Sequence, residues 1–406
     1  MKIYKFASSS RLILKPLLKS ILPSAPKFFG MVMLGILLSA SAAGCVSGCE
    51  LSAKNTGDDG QDTLNIAVWN LQAFFDGTET GFEYDEYLEE AGWSAEKYQA
   101  RLTALGKAVE AIADNAPPIL ALIEVENAGV LQTLAESALS GHGYAWTFFA
   151  AHPGSSLGIG LLSRYPLFDT RLHSVSSDAG VIPRPVLEAW VNVRETPIAL
   201  FVCHWKSKLG SEDVTEALRR SAARVILRRI REIEAAAPGT PVIIMGDLNE
   251  NHDEFYRRSG TVISALLPDD PRAAELAGFR NEADLSDNEA PARYRGSQTD
   301  YLILSRQKPP SSRYFSREAV VLYSPWENEL EKGSYSYKNE WETIDHFLLN
   351  GPFFDKLNWE FDACEVLHRE PFTTAAGSPN SYNPRTGHGL SDHLPLLLTL
   401  KFVEAY

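Results

Sequence analysis

The decapeptide Pro241-Val242-Ile243-Ile244-Met245-Gly246-Asp247-Leu248-Asn249-Glu250 constrains this chain more than any other stretch. A short apolar run bounded by Pro and Gly reads as a buried strand. The period-2 geometry of extended backbone sends Asp247 and Asn249 to the same side of the strand end. A carboxylate beside a carboxamide suits a phosphate group held near a divalent cation. The acid meets a metal or a proton, and the amide donates to an anionic oxygen. Taken alone, the same residues also fit a strand running into an ordinary turn.

The 406 residues allow one large α/β domain or two ordinary ones. No Pro/Gly linker and no repeat divides residues 63–406, so a single domain is expected there. The first 44 residues read as an export signal. A basic segment precedes the apolar run Phe28 to Leu38, and small residues follow from Ser39 to Gly44. The run is short for a membrane span. Val46-Ser47-Gly48-Cys49 resembles the bacterial lipoprotein cleavage pattern, and Cys45 lies closer behind the apolar core. Either cysteine, once acylated, would anchor an exported protein in the cell envelope by its N-terminus. Residues 45–62 then serve as a flexible tether. Cys203 and Cys364 are far apart and are expected to be free and buried.

The net charge is −14, and all six charges before Cys45 are basic. Without them 32 basic residues face 52 acidic ones, a balance of −20. Such a field repels polyanions, which counts against a dedicated DNA-binding module and less against a metal-dependent enzyme that contacts its substrate briefly.

Several apolar segments end in polar residues of one kind. The alternating stretch Thr63 to Asn70 ends in Asn70, and the strand-like stretch Pro118 to Val125 brings Glu124. Ile198 to Cys203 runs into His204, and Glu342-Thr343-Ile344-Asp345 opens another hydrophobic strand. Ser391-Asp392-His393 precedes the last. Helical spacing is predicted over Ala95 to Ala113, Val130 to Leu139 and Glu212 to Ala236. The arginines at 219, 220, 224, 228, 229 and 231 are expected to form a solvated face of the last of these helices. Residues 251–333 read as loops and short helices. Each polar strand end could be a turn or core residue by itself; six such ends in one chain point to a shared site.

Trp69-Asn70, Ile123-Glu124, His204-Trp205, Gly246-Asp247-Leu248-Asn249, Ile344-Asp345-His346 and Ser391-Asp392-His393-Leu394-Pro395 resemble, in this order, the signatures of the endonuclease/exonuclease/phosphatase superfamily of metal-dependent phosphoesterases. The resemblance spans roughly residues 63–402. It implies an α/β fold, a four-layer α/β/β/α sandwich of two packed mixed sheets, with the active site at one end. It also implies Glu124 as main metal ligand, with Asn70 and Asp392 close to the ion. His393 would be a general base oriented by Asp345, Asp247 and Asn249 would flank the phosphate, and His204 would bind it or assist the leaving group. Asp247 remains an alternative base. Arg184, Lys206 and Lys208 are candidate phosphate contacts. The loop His152 to Ser156 lacks the Asp and Arg that many nuclease-like members carry there.

Hard oxygen donors suit Mg²⁺, with Mn²⁺ as a substitute, better than zinc. The expected activity is phosphodiester hydrolysis by an envelope-anchored or secreted endonuclease that acts as a monomer on nucleic acid. The alternatives are a phospholipid or sphingomyelin phosphodiesterase or a phosphatase. From another class comes a catalytically idle surface lipoprotein. Gln298-Thr299-Asp300 imitates the Asp345 motif; Gly333-Ser334-Tyr335-Ser336-Tyr337 and Trp341, just upstream of Asp345, resemble the run that precedes this Asp in bacterial secreted relatives and favour the latter.

Overall fold

The computed structural model describes residues 62–176, 183–279, 299–316, 319–326, 328, 330, 332–338 and 340–404. The export signal and both candidate lipidation sites, Cys45 and Cys49, lie outside the described residues, as does the tether up to residue 61.

Among the described residues, two large mixed sheets carry the fold. The first contains β1 (Thr63–Phe74), β2 (Ile119–Val125), β3 (Trp146–Ala150), β4 (Gly158–Ser163), β15 (Asn358–Val366) and β16 (Leu396–Val403), in the order β15-β16-β1-β2-β4-β3. The second contains β5 (Leu167–His173), β6 (Val186–Val193), β7 (Thr196–His204), β8 (Val242–Asp247), β9 (Leu266–Pro268), β10 (Leu302–Ser305), β11 (Val321–Tyr323) and β14 (Asp345–Leu349). Its order is β5-β6-β7-β8-β14-β11-β10-β9. A small ribbon pairs β12 (Tyr335–Tyr337) with β13 (Glu340–Glu342).

Three apolar layers show why these strands stack as they do. Alternate residues of both sheets, among them Ile66, Val68, Ile123, Leu200, Val202, Ile243, Met245 and Leu398, meet in one core between the sheets. The intervening residues of the first sheet, such as Ala67, Trp69 and Leu122, pack under α1 (Ala95–Glu110) and the turns that follow α2 (Ala128–Thr133). Those of the second sheet, Phe201, Cys203, Val242 and Ile244, pack under α3 (Glu212–Ala236). Each fully buried Val, Leu or Ile supplies about 1.5–3 kcal/mol, so both faces of the central strands are committed. The result is the expected four-layer α/β/β/α sandwich.

Several boundaries differ from the expectations. The first strand runs on to Phe74, and the segment before Asp345 breaks into β13 and β14 at Thr343-Ile344. By contrast, residues 391–395 are irregular and the last strand starts at Leu396, so Ser391-Asp392-His393 precedes it as expected. The predicted loop region 251–333 contributes β9, β10 and β11 besides the short helices α4 (Glu254–Arg257) and α5 (Pro271–Leu276).

The arginine-rich side of α3 is only in part the solvated face expected: Arg228 and Arg231 are exposed, whereas the other four arginines are paired with acids. Arg219 is buried and ion-pairs with Glu250 at 2.6 Å and Glu216 at 2.7 Å. Arg229 clamps buried Glu188 with two bonds of 2.8 and 3.0 Å, and Arg220 and Arg224 both reach Asp300. A helix packed across a sheet must pair any charge on its packed side, because an unpaired buried charge is expensive. Asp300 is thereby a structural partner of α3, and Asp345 is the acid at the site. Cys203 and Cys364 are buried and form no disulfide, as expected.

Candidate active site

Strand register alone brings the polar ends together. Asn70 pairs across the parallel β1–β2 ladder with Ile123, next to Glu124. His204 pairs with Asp247 across β7–β8, and Asp247 pairs with Asp345 across β8–β14. β16 enters opposite Val68, which places the turn carrying Asp392 and His393 beside Asn70. Two bonds staple that turn in place: Ser391 Oγ donates to the Asn70 carbonyl at 2.6 Å, and Trp69 Nε1 donates to the His393 carbonyl at 2.9 Å. Gly246 makes the β7–β8 approach possible. Its φ is +138°, and a Cβ there would lie 2.0 Å from the Cys203 carbonyl oxygen.

The side chains form one connected set. His393 Nδ1 lies 2.8 Å from Asp345 Oδ2, which also accepts from Ser334 Oγ at 2.6 Å. Asn70 Nδ2 donates to Asp247 Oδ2 at 3.0 Å. Asp247 Oδ1 accepts the Asn249 backbone N–H at 2.9 Å, and Asn249 Nδ2 donates to the Trp205 carbonyl at 3.2 Å. His204 Nε2 lies 3.5 Å from Glu124 Oε1 and 3.7 Å from Asp247 Oδ2. Asp392 has a half-buried position within electrostatic reach of Glu124. Tyr335 packs its ring on the His393 imidazole, centroid to centroid 4.6 Å.

Glu124 and Asn249 both hold left-handed backbone, with φ of +66° and +49°. Such conformations cost about 1–3 kcal/mol each in a residue with a side chain and concentrate at functional sites. At Glu124 the cause is visible. The β1–β2 register shifts between Asn70 and Phe74, so Leu71, Gln72 and Ala73 stand against this one residue.

The electrostatics are those of a crowded acid cluster. Burial, then repulsion from Asp345, pushes the Asp247 carboxyl up to about 7. Burial and repulsion from Glu124 also raise Asp392. Burial disfavours the charged His393 imidazole, but Asp345, Asp392 and Asp247 outweigh it and push His393 up to about 10. His204 goes the other way, held well below its usual range by burial and then by Arg184, His393 and Lys206. Asp345 Oδ1 is buried without a hydrogen-bond partner. Ligand atoms of Asp247, Asp345 and His393 lie within 4.8 Å of one another. However, His393 Nδ1 is already bonded to Asp345, whereas Glu124 is felt electrostatically by both Asp247 and Asp392. A site in which carboxylates raise each other's pKa fits a hard divalent cation on oxygen ligands.

The candidate phosphate contacts are placed less simply. Arg184 Nη1 donates to the Trp205 carbonyl at 2.6 Å, and its charge is felt at His204 and at Tyr84. Lys206 Nζ is turned onto Ser207 Oγ at 3.0 Å and the Leu209 carbonyl at 3.2 Å. Lys208 pairs with Glu254 at 2.7 Å and Glu342 at 3.4 Å.

One residue of the site had no place among the motifs. Arg101, on α1, is fully buried and its guanidinium binds the carbonyls of the Leu71–Ala73 bulge. Its spacing is a usable signal: Arg101 stands four residues before Leu105, on the apolar stripe of the helix, where a charge needs partners.

A family model described as the endonuclease/exonuclease/phosphatase family matches residues 65–277, just over half of the chain. No curated protein sequence matches. Among solved structures, an endonuclease/exonuclease/phosphatase from Bacteroides vulgatus is similar with a TM-score of 0.46 and 14% identity, over 84% of this chain and 100% of that one. D. rerio TDP2, complexed with single strand DNA product, is similar with a TM-score of 0.46 and 15% identity over the same shares. A protein of unknown function from Enterococcus faecalis has a TM-score of 0.45 and 14% identity, again over 84% and 100%. The chain belongs to the endonuclease/exonuclease/phosphatase family.

Proposed function

We propose that the chain is a Mg²⁺-dependent phosphodiesterase that hydrolyses nucleic acid. The observation that carries this reading is the convergence of Glu124, Asn70, His204, Asp247 and the Asp345–His393 pair at one end of the sandwich. Glu124 would hold the cation, with Asn70 and Asp392 beside it; Mn²⁺ would substitute. When bound, the cation neutralises the charged phosphate and stabilises the leaving oxygen.

The protein's own groups account for the rest. Asp345 on His393 Nδ1 fixes the imidazole so that Nε2 is the nitrogen left to exchange a proton with the attacking water. The acids around it hold the ring protonated near neutrality, and neutralisation of those acids by a cation would free Nε2 to accept that proton. Asp247, poised near neutrality, is the alternative acceptor. His204, kept neutral by burial, can donate a hydrogen bond to a phosphate oxygen without adding charge. Asn249 is held beside Asp247 as a second donor, and Arg184 supplies the nearby positive charge.

Exposed aromatic rings favour a nucleotide-containing substrate. Tyr84 is 41% exposed, braced edge-on by Phe75, and close enough to Glu124 for its hydroxyl to feel that carboxylate. Tyr337, on the ribbon that leads to Tyr335, is 52% exposed. Bases stack on such faces with about 1–3 kcal/mol each. The same ribbon carries Lys338, Glu340 and Glu342, too many charges for a segment meant to enter lipid. We further propose a monomer exported to the cell envelope and anchored through Cys45 or Cys49.

Incubation with single-stranded DNA, duplex DNA, RNA, sphingomyelin and bis(p-nitrophenyl) phosphate, each with Mg²⁺ or with chelator, tests the reading. Chelator-sensitive cleavage of nucleic acid is expected. Cleavage of sphingomyelin alone would move the assignment to a lipid phosphodiesterase, and no cleavage of any substrate would favour the catalytically idle surface lipoprotein.

A further inference from the structure

Arg101 is 1% exposed, and its guanidinium is spent on one short segment. Nη1 donates to the Ala73 carbonyl at 2.8 Å and to Tyr87 Oη at 3.1 Å. Nη2 donates to the carbonyls of Leu71 at 2.5 Å and Gln72 at 2.8 Å. The guanidinium carbon sits 3.8 Å from the centre of the Tyr382 ring, which covers it from one side. Three successive carbonyls turned toward one cation are an unusual end for a strand, and they force the backbone. Gln72 and Ala73 are both left-handed, with φ of +52° and +57°. Neither is a glycine, so the pair costs about 1–2 kcal/mol per residue unless something holds it.

What the forced turn delivers lies on its other side. With the carbonyls drawn inward to Arg101, the Gln72 N–H donates to Asn70 Oδ1 at 2.9 Å. The Ala73 N–H donates to Glu124 Oε2 at 2.8 Å. These two bonds fix the remaining freedom of both side chains. The Asn70 amide must present its nitrogen to Asp247, and Glu124 must turn Oε1 toward His204. Gln72 closes the unit by bonding the Tyr382 backbone with both ends of its amide, at 2.8 and 3.2 Å.

We propose that Arg101 is a positioning residue for the cation site: by holding the Leu71–Ala73 turn, it orients Glu124 as a ligand for a divalent ion and Asn70 as the hydrogen-bond donor to Asp247 beside it. This rests on the metal-dependent reading above. Arg101 does not touch substrate or ion. It acts through two backbone N–H groups, and a guanidinium suits the task because its fixed fork spans neighbouring carbonyls that an ammonium covers less well.

The test compares wild type, Arg101→Lys and Arg101→Met by Mn²⁺ titration calorimetry, with thermal melting in chelator to establish that each is folded. Folded Arg101→Met should bind Mn²⁺ at least about tenfold more weakly, the range for lost supporting contacts behind a metal ligand, and Arg101→Lys should recover part of that loss. With Mg²⁺ and single-stranded DNA, kcat should fall more than KM rises. If Arg101→Met does not fold, Arg101→Lys carries the comparison, and a loss of about threefold or more is expected. Mn²⁺ affinity within twofold of wild type in the folded variants would overturn the proposal while leaving the metal-dependent reading intact. A wild-type protein that binds no Mn²⁺ would remove both.

Discussion

Asp345 stands directly across the β8–β14 ladder from Asp247 while its Oδ2 lies 2.8 Å from His393 Nδ1. One carboxylate therefore does two things: it orients the imidazole, and it crowds the acid on the neighbouring strand. Asp345→Asn removes the charge but keeps the shape, and an amide fixes the imidazole tautomer less well. We expect kcat on single-stranded DNA to fall about 10²–10⁴-fold with little change in KM, the range for loss of an oriented acid–base pair. A kcat within threefold of wild type would show that the pair is structural.

Substrate binding should depend weakly on salt. Lys206 and Lys208 are already satisfied by their own loops and by Glu254 and Glu342, so a long phosphate track finds few partners. A plot of log KM against log salt should have a slope corresponding to about two phosphates or fewer. Tyr84→Leu should raise KM for single-stranded DNA about tenfold, in line with the loss of one stacked base. A steep salt slope, or no effect of the substitution, would argue for backbone recognition by other groups.

Stability should fall on acidification through a known group. Burial raises the Glu188 carboxyl, but hydrogen bonds from His173, Arg229 and Trp190 outweigh it and bring it down to about 2. A carboxyl held below its unfolded value of about 4.5 stabilises the fold above that pH, and the contribution is lost as pH drops toward 2. Wild-type melting temperature should therefore decline between pH 5 and 3 more steeply than that of Glu188→Gln. At pH 7 the variant should be about 3 kcal/mol less stable, because Arg229 loses its buried partner. Parallel melting curves for the two proteins across that range would refute this.

The parts of the molecule that were readable in advance are those with one dominant physical cause. The strand Val242–Asp247 was legible from a short apolar run bounded by Pro and Gly, and the helix Glu212–Ala236 followed from its apolar spacing alone. His393 and Asp345 were legible as a pair only through family resemblance, since they are 48 residues apart and no local rule links them. Periodicity marks where a helix has a polar side but not what lies against it, which is why Arg219 and Arg229 passed for solvated residues. Their partners come from elsewhere in the chain: Glu250 from the segment after β8, and Glu188 from β6. The left-handed turn at Gln72 and Ala73 was invisible for a similar reason: it is imposed by Arg101 from a neighbouring helix, against the local preference of both residues.

The central claim is that the strand ends enclose one divalent cation on Glu124 and that hydrolysis depends on it. The most direct measurement is the initial rate of single-stranded DNA cleavage against Mg²⁺ concentration, for wild type and for Glu124→Gln. The account predicts a wild-type rate that saturates with Mg²⁺ and vanishes in chelator, and a Glu124→Gln curve displaced to at least about tenfold higher Mg²⁺ with a lower plateau. Cleavage that persists in chelator, or superimposable curves for the two proteins, would contradict it.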